Sequence, residues 1–378
     1  MPRIRRIRRK KPRAGSVWKK LLLWGVLGLL VLAAAVVAGS YLYVRAYLKS
    51  DGFLAMLEQS AVDDMNVETA RIDPLDWDGS GIRCGGVTME GHEFLTSLQA
   101  RNIETEFSRW ELLKRAFVIT SVNIAELKLR LAPVPFRFRE KPEGARSWAE
   151  ENILPDTFRL EKGSIDSLSV SYGEVGQLYV LDGTRVESAY DAGSSQYRFE
   201  MQGGRLLLPF KGCPEFSLMS GTAQFNHASR RVNVPSCRLT TAAGGYLDIK
   251  GDWDGSSSSW TANMVVNGVP ASSVLEDHWK KHVQGSVSGG IDLRGGRDGV
   301  THVAGLARLQ GGMLTGLPVL DRLALFCGSS RFRNLPLHEA SAQFTYQESA
   351  WHISNILVES ENLVRAVSYT HLRAHETR

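Results

Sequence analysis

Apolar and polar residues alternate with a period of two along most of the chain after residue 156. The alternation is plain in Ser167–Tyr172, Gln196–Gln202 and Trp260–Val266, where the large apolar residues share one side. Phe117–Leu131 alternates in the same way and is rich in β-branched residues. This pattern is typical of antiparallel strands that bury one face. We therefore predict a mainly β protein built on an antiparallel sheet.

Asp-Gly and Asn-Gly dipeptides interrupt this strand pattern. They are Asp182-Gly183, Asp254-Gly255, Asn267-Gly268 and Asp298-Gly299. Such pairs favour the left-handed backbone conformations of tight turns. We expect a turn between strands at each of them.

Helical periodicity is confined to a few short stretches. Asp51–Asp64 has apolar residues at helical spacing. Ser273–Val283 begins with a Ser-x-x-Glu capping box and is closed by Gly285, and Leu317–Phe326 has a proline in its first turn. So few helices cannot cover so many strands.

The shortage of helices predicts an elongated sheet whose apolar side forms a groove for an apolar ligand. The alternative is an ordinary core, packed on another sheet or on helices. The candidate lining residues lie on the apolar sides of alternating strands: Val170, Tyr197, Phe199, Met201, Trp260, Met264 and Val266.

A second kind of pattern precedes the strands. Leu21–Val44 contains no charged residue, and its 24 residues would reach about 36 Å as a helix, enough to cross a bilayer. Small residues at Ala33, Val36 and Ala38 would also suit a cleaved signal peptide. Because a signal core is usually shorter than this stretch, we favour a transmembrane helix.

Charge predicts the orientation of that helix. Met1–Lys20 holds ten Lys or Arg and no acidic residue, whereas Arg45 and Lys49 alone follow the span closely. The basic end should stay in the cytoplasm and the bulk should be exported. Without the tail, the net charge falls from +5 to −5, which argues against a nucleic-acid partner. Contact with anionic lipid explains the tail better.

No pattern of catalytic or metal-binding residues stands out. The chain lacks a phosphate-binding loop, and Gly285–Gly289 has valine where a nucleophile elbow needs serine. His278 and His282 have zinc-ligand spacing but no further ligands, and the Asp-Trp-Asp-Gly sequences at 76–79 and 252–255 lack the rest of a calcium loop. We expect no enzyme activity, no cofactor and no metal.

Four cysteines are present, at positions 84, 213, 237 and 327, and none forms a Cys-x-x-Cys pair. An exported location permits a disulfide, and Cys213 and Cys237 are the nearest pair. Buried thiols that act as small apolar residues are an equal alternative.

Several segments together resemble the AsmA-like family of bacterial envelope proteins. The resemblance rests on the uncharged span, on Leu98–Leu131, on Phe158–Tyr172 and on the succession of segments from Ser273 to Ser360. It implies an inner-membrane anchor, a long β-groove in the periplasm and a role in lipid transport or outer-membrane assembly.

The last twelve residues, Val367–Arg378, lack an apolar period and resemble the in-frame translation of a sequencing-library adapter. We expect them to be non-native, to pack on nothing, and to replace a natural continuation beyond about Arg365. The expected segments are a basic cytoplasmic tail (1–20), a transmembrane helix (21–44), a membrane-proximal AsmA-like α+β segment (45–132), a proline-rich linker (133–155), a periplasmic β-rich region with an AsmA-like C-terminal module (156–366) and this tail (367–378).

The functional prediction follows from these points. The chain is expected to be a single-pass inner-membrane protein that binds phospholipid acyl chains in its groove, with lipids, the membrane and other envelope proteins as partners. A scaffold with a closed, dry β core is the alternative, and an exported hydrolase is disfavoured because no nucleophile and base stand out.

Overall fold

The computed structural model describes residues 50–77, 81–108, 116–134, 157–174, 176–209, 213–226, 228–297, 299–347, 350–360, 364–368 and 372–374. It divides the chain into two compact units, residues 1–56 and 57–378. The predicted transmembrane helix at 21–44 and the basic tail at 1–20 lie outside the described residues. Within those residues, no helix has both the length and the apolar character needed to cross a membrane.

In the described part, twenty-one strands form a single sheet. The first strands are β1 (Thr69–Ile72), β2 (Leu75–Trp77), β3 (Gly81–Glu90), β4 (Leu95–Phe107), β5 (Ala116–Leu131), β6 (Thr157–Leu160) and β7 (Lys162–Glu174). The central strands are β8 (Gln177–Asp191), β9 (Gln196–Gln202), β10 (Arg205–Leu207), β11 (Phe216–Asn226), β12 (Arg231–Thr241), β13 (Tyr246–Asp254) and β14 (Ser259–Pro270). The last strands are β15 (Val283–Gly296), β16 (Gly299–Thr315), β17 (Asn334–Leu337), β18 (Glu339–Gln347), β19 (Ala350–Ser360), β20 (Val364–Ser368) and β21 (Leu372–Ala374).

Most strands pair with their neighbours in sequence, so the sheet is a long meander. All its pairs are antiparallel except those of β5 with β6 and β7, which are parallel. β9 and β10 both lie between β8 and β11. The predicted mainly β class is therefore confirmed, with one sheet that is mixed rather than purely antiparallel.

Helices are short and few among the described residues. They are α1 (Asp51–Met65), α2 (Ala271–Val274), α3 (Asp277–Lys280) and α4 (Pro318–Phe326), and a 3₁₀ turn at Ser330–Arg333 follows α4. As expected, α4 begins with its proline in the first turn. It ends at Phe326, and Gly328 follows with a φ of 64°, which allows the Ser329 N–H to donate to the Ala324 carbonyl at 3.0 Å.

The single helix predicted over Ser273–Val283 is wrong. The chain instead forms α2 and α3, separated by Leu275 in an extended conformation. Pro270 is the residue that precedes α2, so the helical turn starts before Ser273 and no side-chain cap forms. Val283 pairs with Leu314 as part of β15, which takes it out of any helix.

Two of the predicted turns are also wrong. Asp254, the last residue of β13, and Gly255 do lead into the turn between β13 and β14. Asp182-Gly183, however, lies inside β8, and Asn267-Gly268 lies inside β14, with φ values of 71° and 64° at the two glycines. The strand register shifts beside both pairs, so the left-handed glycines form β-bulges instead of turns.

Two clusters of buried side chains anchor the sheet. One is centred on Phe216, Leu218 and Leu239, with Leu208 and Cys213 from the segment before β11 packed against it. The other joins Leu320 of α4 to Leu335 and Leu337 of β17 and to neighbouring side chains of β16, β18 and β19. Both clusters form where a segment between two long strands folds back over the sheet.

The final segment takes part in the sheet. Val367 of β20 pairs with Leu357, and Leu372 of β21 pairs with Ile353. The expectation that Val367–Arg378 packs on nothing is therefore wrong for residues 367–368 and 372–374. Without β20 and β21, β19 would be an edge strand, and an edge strand presents backbone donors and acceptors that any extended segment can pair with. The origin of this segment stays a prediction.

Candidate functional site

One unbroken row of apolar and glycine residues crosses the sheet from β2 to β19. Directly paired residues in neighbouring strands point to the same side, so the row follows from the strand register. Its members, which we call the central apolar row, are Leu75, Cys84, Ile103, Ile124, Ile165, Val186, Met201, Gly221, Cys237, Ile249, Met264, Ile291, Gly305, Phe344 and Ile353. At the usual spacing of neighbouring strands, the row measures roughly 65–70 Å along the sheet.

Most of the central apolar row is only half-buried. Cys84, Val186 and Gly221 are buried, and the other twelve members keep intermediate exposure. In a closed two-layer core, inward-facing side chains interdigitate with a second layer and lose contact with water. The described residues therefore do not supply a complete second layer over this row.

Shorter apolar rows run beside the central one. On one flank, Leu98, Leu129, Val170, Leu181 and Leu206 are consecutive cross-strand partners. On the same side, Leu218, Leu239, Leu247 and Val266 form another row. The cluster around Phe216 contains members of both rows together with Met201, Cys237 and Ile249. All these rows thus lie on one side of the sheet, which we call the apolar face.

Backbone irregularities keep the apolar residues on this face. In β4 the apolar positions run 98 and 100, then 103 and 107, so the alternation shifts by one residue at Asn102. Asn102 has a φ of 50°, a left-handed conformation. Gly183 makes the same kind of shift in β8. Without these shifts, one half of each strand would turn its apolar residues to the opposite side.

The seven predicted lining residues all lie on the apolar face. Met201 and Met264 belong to the central apolar row, Val170 and Val266 belong to its flanking rows, and Phe199 lies two residues from Met201 on β9. Tyr197 and Trp260 lie towards the hairpin ends of their strands. Their contribution to ligand binding stays a prediction, because position on a face does not by itself test it.

Aromatic rings concentrate near one end of the strands. The ring of Tyr197 lies 5.0 Å from that of Tyr190 and 6.5 Å from that of Phe199. The Trp351 ring lies 5.1 Å from Tyr346 and 6.2 Å from Phe344. Rings at these separations contribute apolar area and attractive edge contacts.

Glycines make room for two of the large rings on the apolar face. A Cβ atom at Gly295 would collide with the Trp260 ring, and one at Gly305 would collide with the Phe344 ring. Both rings therefore reach over the backbone of the neighbouring strand. The sequence pattern missed Gly295 and Gly305 because a glycine carries no apolar signal of its own.

The opposite side of the sheet is polar and charged. Arg238 forms two hydrogen bonds of 2.7 Å with the Asp248 carboxylate, and these bonds hold the pKa of Asp248 below its usual value. Hydrogen bonds from Ser169 and Arg205 likewise lower the pKa of Asp182. This pattern is typical of a solvated sheet face.

Cavities on the polar side have polar linings. One of about 530 Å³ is lined mainly by polar residues such as Gln196, Arg231 and Asp252, and Val232, Trp253 and Trp260 also border it. Another of about 440 Å³ is lined by Asn123, Ser164, Glu187 and their neighbours. Carboxylates and amides do not suit acyl chains, because burying them against hydrocarbon costs their hydration. The apolar face is therefore the better candidate site.

Cys213 and Cys237, the predicted disulfide pair, are free thiols that pack against the same apolar cluster. Burial raises the pKa of both thiols. The disulfide stays a prediction, which mass spectrometry of the non-reduced protein would test.

Within the described ranges, no group of three or more His, Cys, Asp or Glu side chains is placed to hold a metal ion. His278 lies in α3, but His282 lies beyond the end of that helix, and its Nδ1 is 2.8 Å from the Thr315 carbonyl oxygen. The two imidazoles thus do not share one helix.

Comparisons with models of protein families, with curated proteins and with solved structures found no match for this chain.

Proposed function

We propose that this chain is a membrane-anchored protein of the bacterial envelope that carries phospholipid acyl chains on its apolar face and takes part in phospholipid transport or outer-membrane assembly. The observation that carries the proposal is the central apolar row, which crosses the strands from β2 to β19 and stays half-buried over most of its length. A continuous apolar path suits a ligand that is itself long and apolar.

The physical argument concerns what completes the core. An apolar surface left in water is unfavourable by roughly 25 cal/mol per Å² of exposed area. In a sandwich a second sheet removes this area from water. On this sheet, acyl chains would do so, with their headgroups left in contact with water. Such a face suits hydrocarbon in general and sets no preference among lipid classes.

The place of action rests on the sequence. The uncharged stretch at 21–44 and the basic tail at 1–20 support a single-pass anchor with a cytoplasmic N-terminus and a periplasmic bulk. The resemblance to AsmA-like proteins supports the same location. A reporter enzyme that is active only in the periplasm, fused after Ser50, tests the topology.

The lipid-binding proposal is tested at two adjacent residues of β14. Met264 lies on the apolar face, whereas Val265 is 44% exposed on the opposite side of the strand. Lipid that copurifies with the parent protein should be lost in Met264→Asp and retained in Val265→Asp. Both variants should melt close to the parent, because a carboxylate on an open face can stay hydrated.

The alternative is a structural protein with a dry core. It is favoured by the buried clusters around Phe216 and Leu335, which show that parts of the apolar face are already covered by protein. In that case Met264→Asp buries an unpaired charge, at a cost of several kcal/mol, and the melt collapses. If no lipid copurified with the parent protein and the Met264→Asp variant failed to fold, lipid carriage would be excluded.

A further inference from the structure

We propose that α4, together with the 3₁₀ turn after it, docks on the surface of an anionic phospholipid bilayer. This inference goes beyond the proposed function, since a carrier or scaffold of either kind could lack such a contact. It rests on the exposed side of α4 and on the charges around it.

The helix α4 is apolar around nearly its whole circumference. Of its nine residues, only Asp321 and Arg322 are polar. Leu320 and Ala324 are buried on the side that faces the sheet. A helix that is apolar on all sides is normally covered on all sides. Among the described residues, α4 is covered on one side only.

The uncovered side carries large apolar residues. Val319 is 59% exposed, Leu325 75% and Phe326 90%. Leu325 and Phe326 are the most exposed large apolar residues in the described part of the chain. Isolated exposed leucines are common, but a group at the tip of one helix marks an interaction surface.

Two of the basic residues in α4 and in the turn that follows it form no ion pair within the described part of the chain. Arg322 lies between the exposed apolar residues, Arg331 lies in the 3₁₀ turn, and neither has a carboxylate partner among the described residues. Asp321, in contrast, is paired with Arg333 at 3.6 Å. Among the described residues of α4 and the 3₁₀ turn, the charge that is left uncompensated is therefore positive.

A neighbouring element, α3, is tied to the segment that precedes α4. The Thr315 side chain at the end of β16 donates a hydrogen bond of 3.0 Å to the Lys281 carbonyl, which joins the end of α3 to the segment that leads into α4. Trp279 of α3 is 42% exposed. Apolar and aromatic residues among cations are typical of elements that lie in a membrane interface.

Charge selects the bilayer over a second copy of this chain. In a symmetric dimer through α4, the same patch would be present on both copies, so two uncompensated positive patches would be brought together and repel. The headgroups of an anionic bilayer would compensate these cations, and the acyl chains beneath them would surround the apolar tip. It also brings the bilayer next to the apolar face, because Leu320 packs with Leu309 and Ala340 of that face.

The test uses the full chain held in nanodiscs of neutral lipid. These are mixed with vesicles of phosphatidylglycerol and phosphatidylcholine, or of phosphatidylcholine alone, and binding is measured by co-flotation. The parent should float with the anionic vesicles. Leu325→Asp with Phe326→Asp should weaken this binding at least about tenfold, and Arg322→Gln with Arg331→Gln about fivefold per arginine.

Matched controls separate docking from folding. Met219→Asp changes a residue that is 57% exposed elsewhere on the sheet, and it should bind vesicles like the parent. Phe326→Trp keeps the tip apolar, and its fluorescence should be quenched by vesicles with brominated acyl chains more strongly than that of the parent. Copurified lipid should be unchanged in the α4 variants, which distinguishes this surface from lipid carriage.

Several results would overturn the proposal. Equal flotation of the parent and of the Leu325→Asp, Phe326→Asp variant would do so, as would equal binding to neutral and anionic vesicles. Absence of added quenching in Phe326→Trp would exclude insertion even if an aspartate variant failed to fold. Nanodisc pairs that disappear in the α4 variants would assign the surface to a second copy of the chain.

Discussion

The middle of the apolar face and its end beside α4 carry similar side chains. They differ in how far other segments of the chain cover those side chains. Met264 and Ile291 face each other on adjacent strands and stay half-buried. Leu320, Leu335 and Leu337 are 2–6% exposed. Residue type does not explain the contrast, since both regions consist of aliphatic side chains on strands or against them. The difference is that α4 folds back over one region and no described element folds back over the other.

The contrast teaches that this sheet has two kinds of apolar surface. Where a segment covers the strands, the side chains stabilise the fold in the usual way. Where no described residue covers them, the same side chains stay partly exposed. Substitutions should therefore have unequal consequences along a single face.

The largest effect is expected where an aspartate enters the covered region. Leu335→Asp places an unpaired carboxylate at a site that is 2% exposed, and we expect it to lower the free energy of unfolding by about 3–5 kcal/mol. Ile291→Asp in the central apolar row should lower it by only about 1 kcal/mol, since the carboxylate stays hydrated. Urea unfolding curves of both variants give the comparison. Equal losses would mean that the middle of the face is covered as well.

An intermediate effect is expected at the glycine beneath an aromatic ring. Gly305→Val must displace the Phe344 ring and should lower the free energy of unfolding by about 1–3 kcal/mol. Gly290 lies opposite Leu306 on the other side of the same strand pair, and the nearest atom to its added Cβ is 4.0 Å away. Gly290→Val should therefore change stability by less than about 0.5 kcal/mol. A larger loss for the Gly290 variant in thermal melts would contradict this arrangement.

The smallest effect is expected on the polar side. Hydrogen bonds from Arg238 lower the pKa of Asp248, so this pair stabilises the folded state at neutral pH and loses that contribution as the pH falls through the lowered value. Because both side chains are partly exposed, Asp248→Asn should lower stability by less than about 1 kcal/mol. Denaturant midpoints of parent and variant should converge on acidification. If the difference between the two midpoints widened at acid pH, the pair would not stabilise the folded state in the way that a lowered pKa of Asp248 requires.

Local patterns predicted several elements closely. Gln196–Gln202 forms β9 with the predicted bounds, and α4 begins at its proline. Both depend on short-range effects, namely side-chain alternation and the fixed φ of proline. The apolar side of β14 was predicted for the same reason.

Elements that depend on distant partners were predicted less well. Asp182-Gly183 has the composition of a turn, but β8 continues through it because β7 pairs with residues on both sides, β10 with the residues before Gly183 and β9 with those after it. The helix expected over Ser273–Val283 is broken into α2 and α3, and its last residue, Val283, pairs with Leu314 of β16 as the start of β15. A dipeptide or a capping box carries no information about such partners.

The sequence by itself determined that the protein is mainly β, that its strands have one apolar side, and which residues of β9 and β14 lie on that side. These properties follow from the period of two, which every strand carries in its own residues. Only the tertiary structure decided that the apolar sides of neighbouring strands line up as the central apolar row. This alignment depends on the strand register and on left-handed residues such as Asn102. The tertiary structure also decided that α4 leaves Leu325 and Phe326 exposed, because cover depends on which distant segments fold back over the sheet.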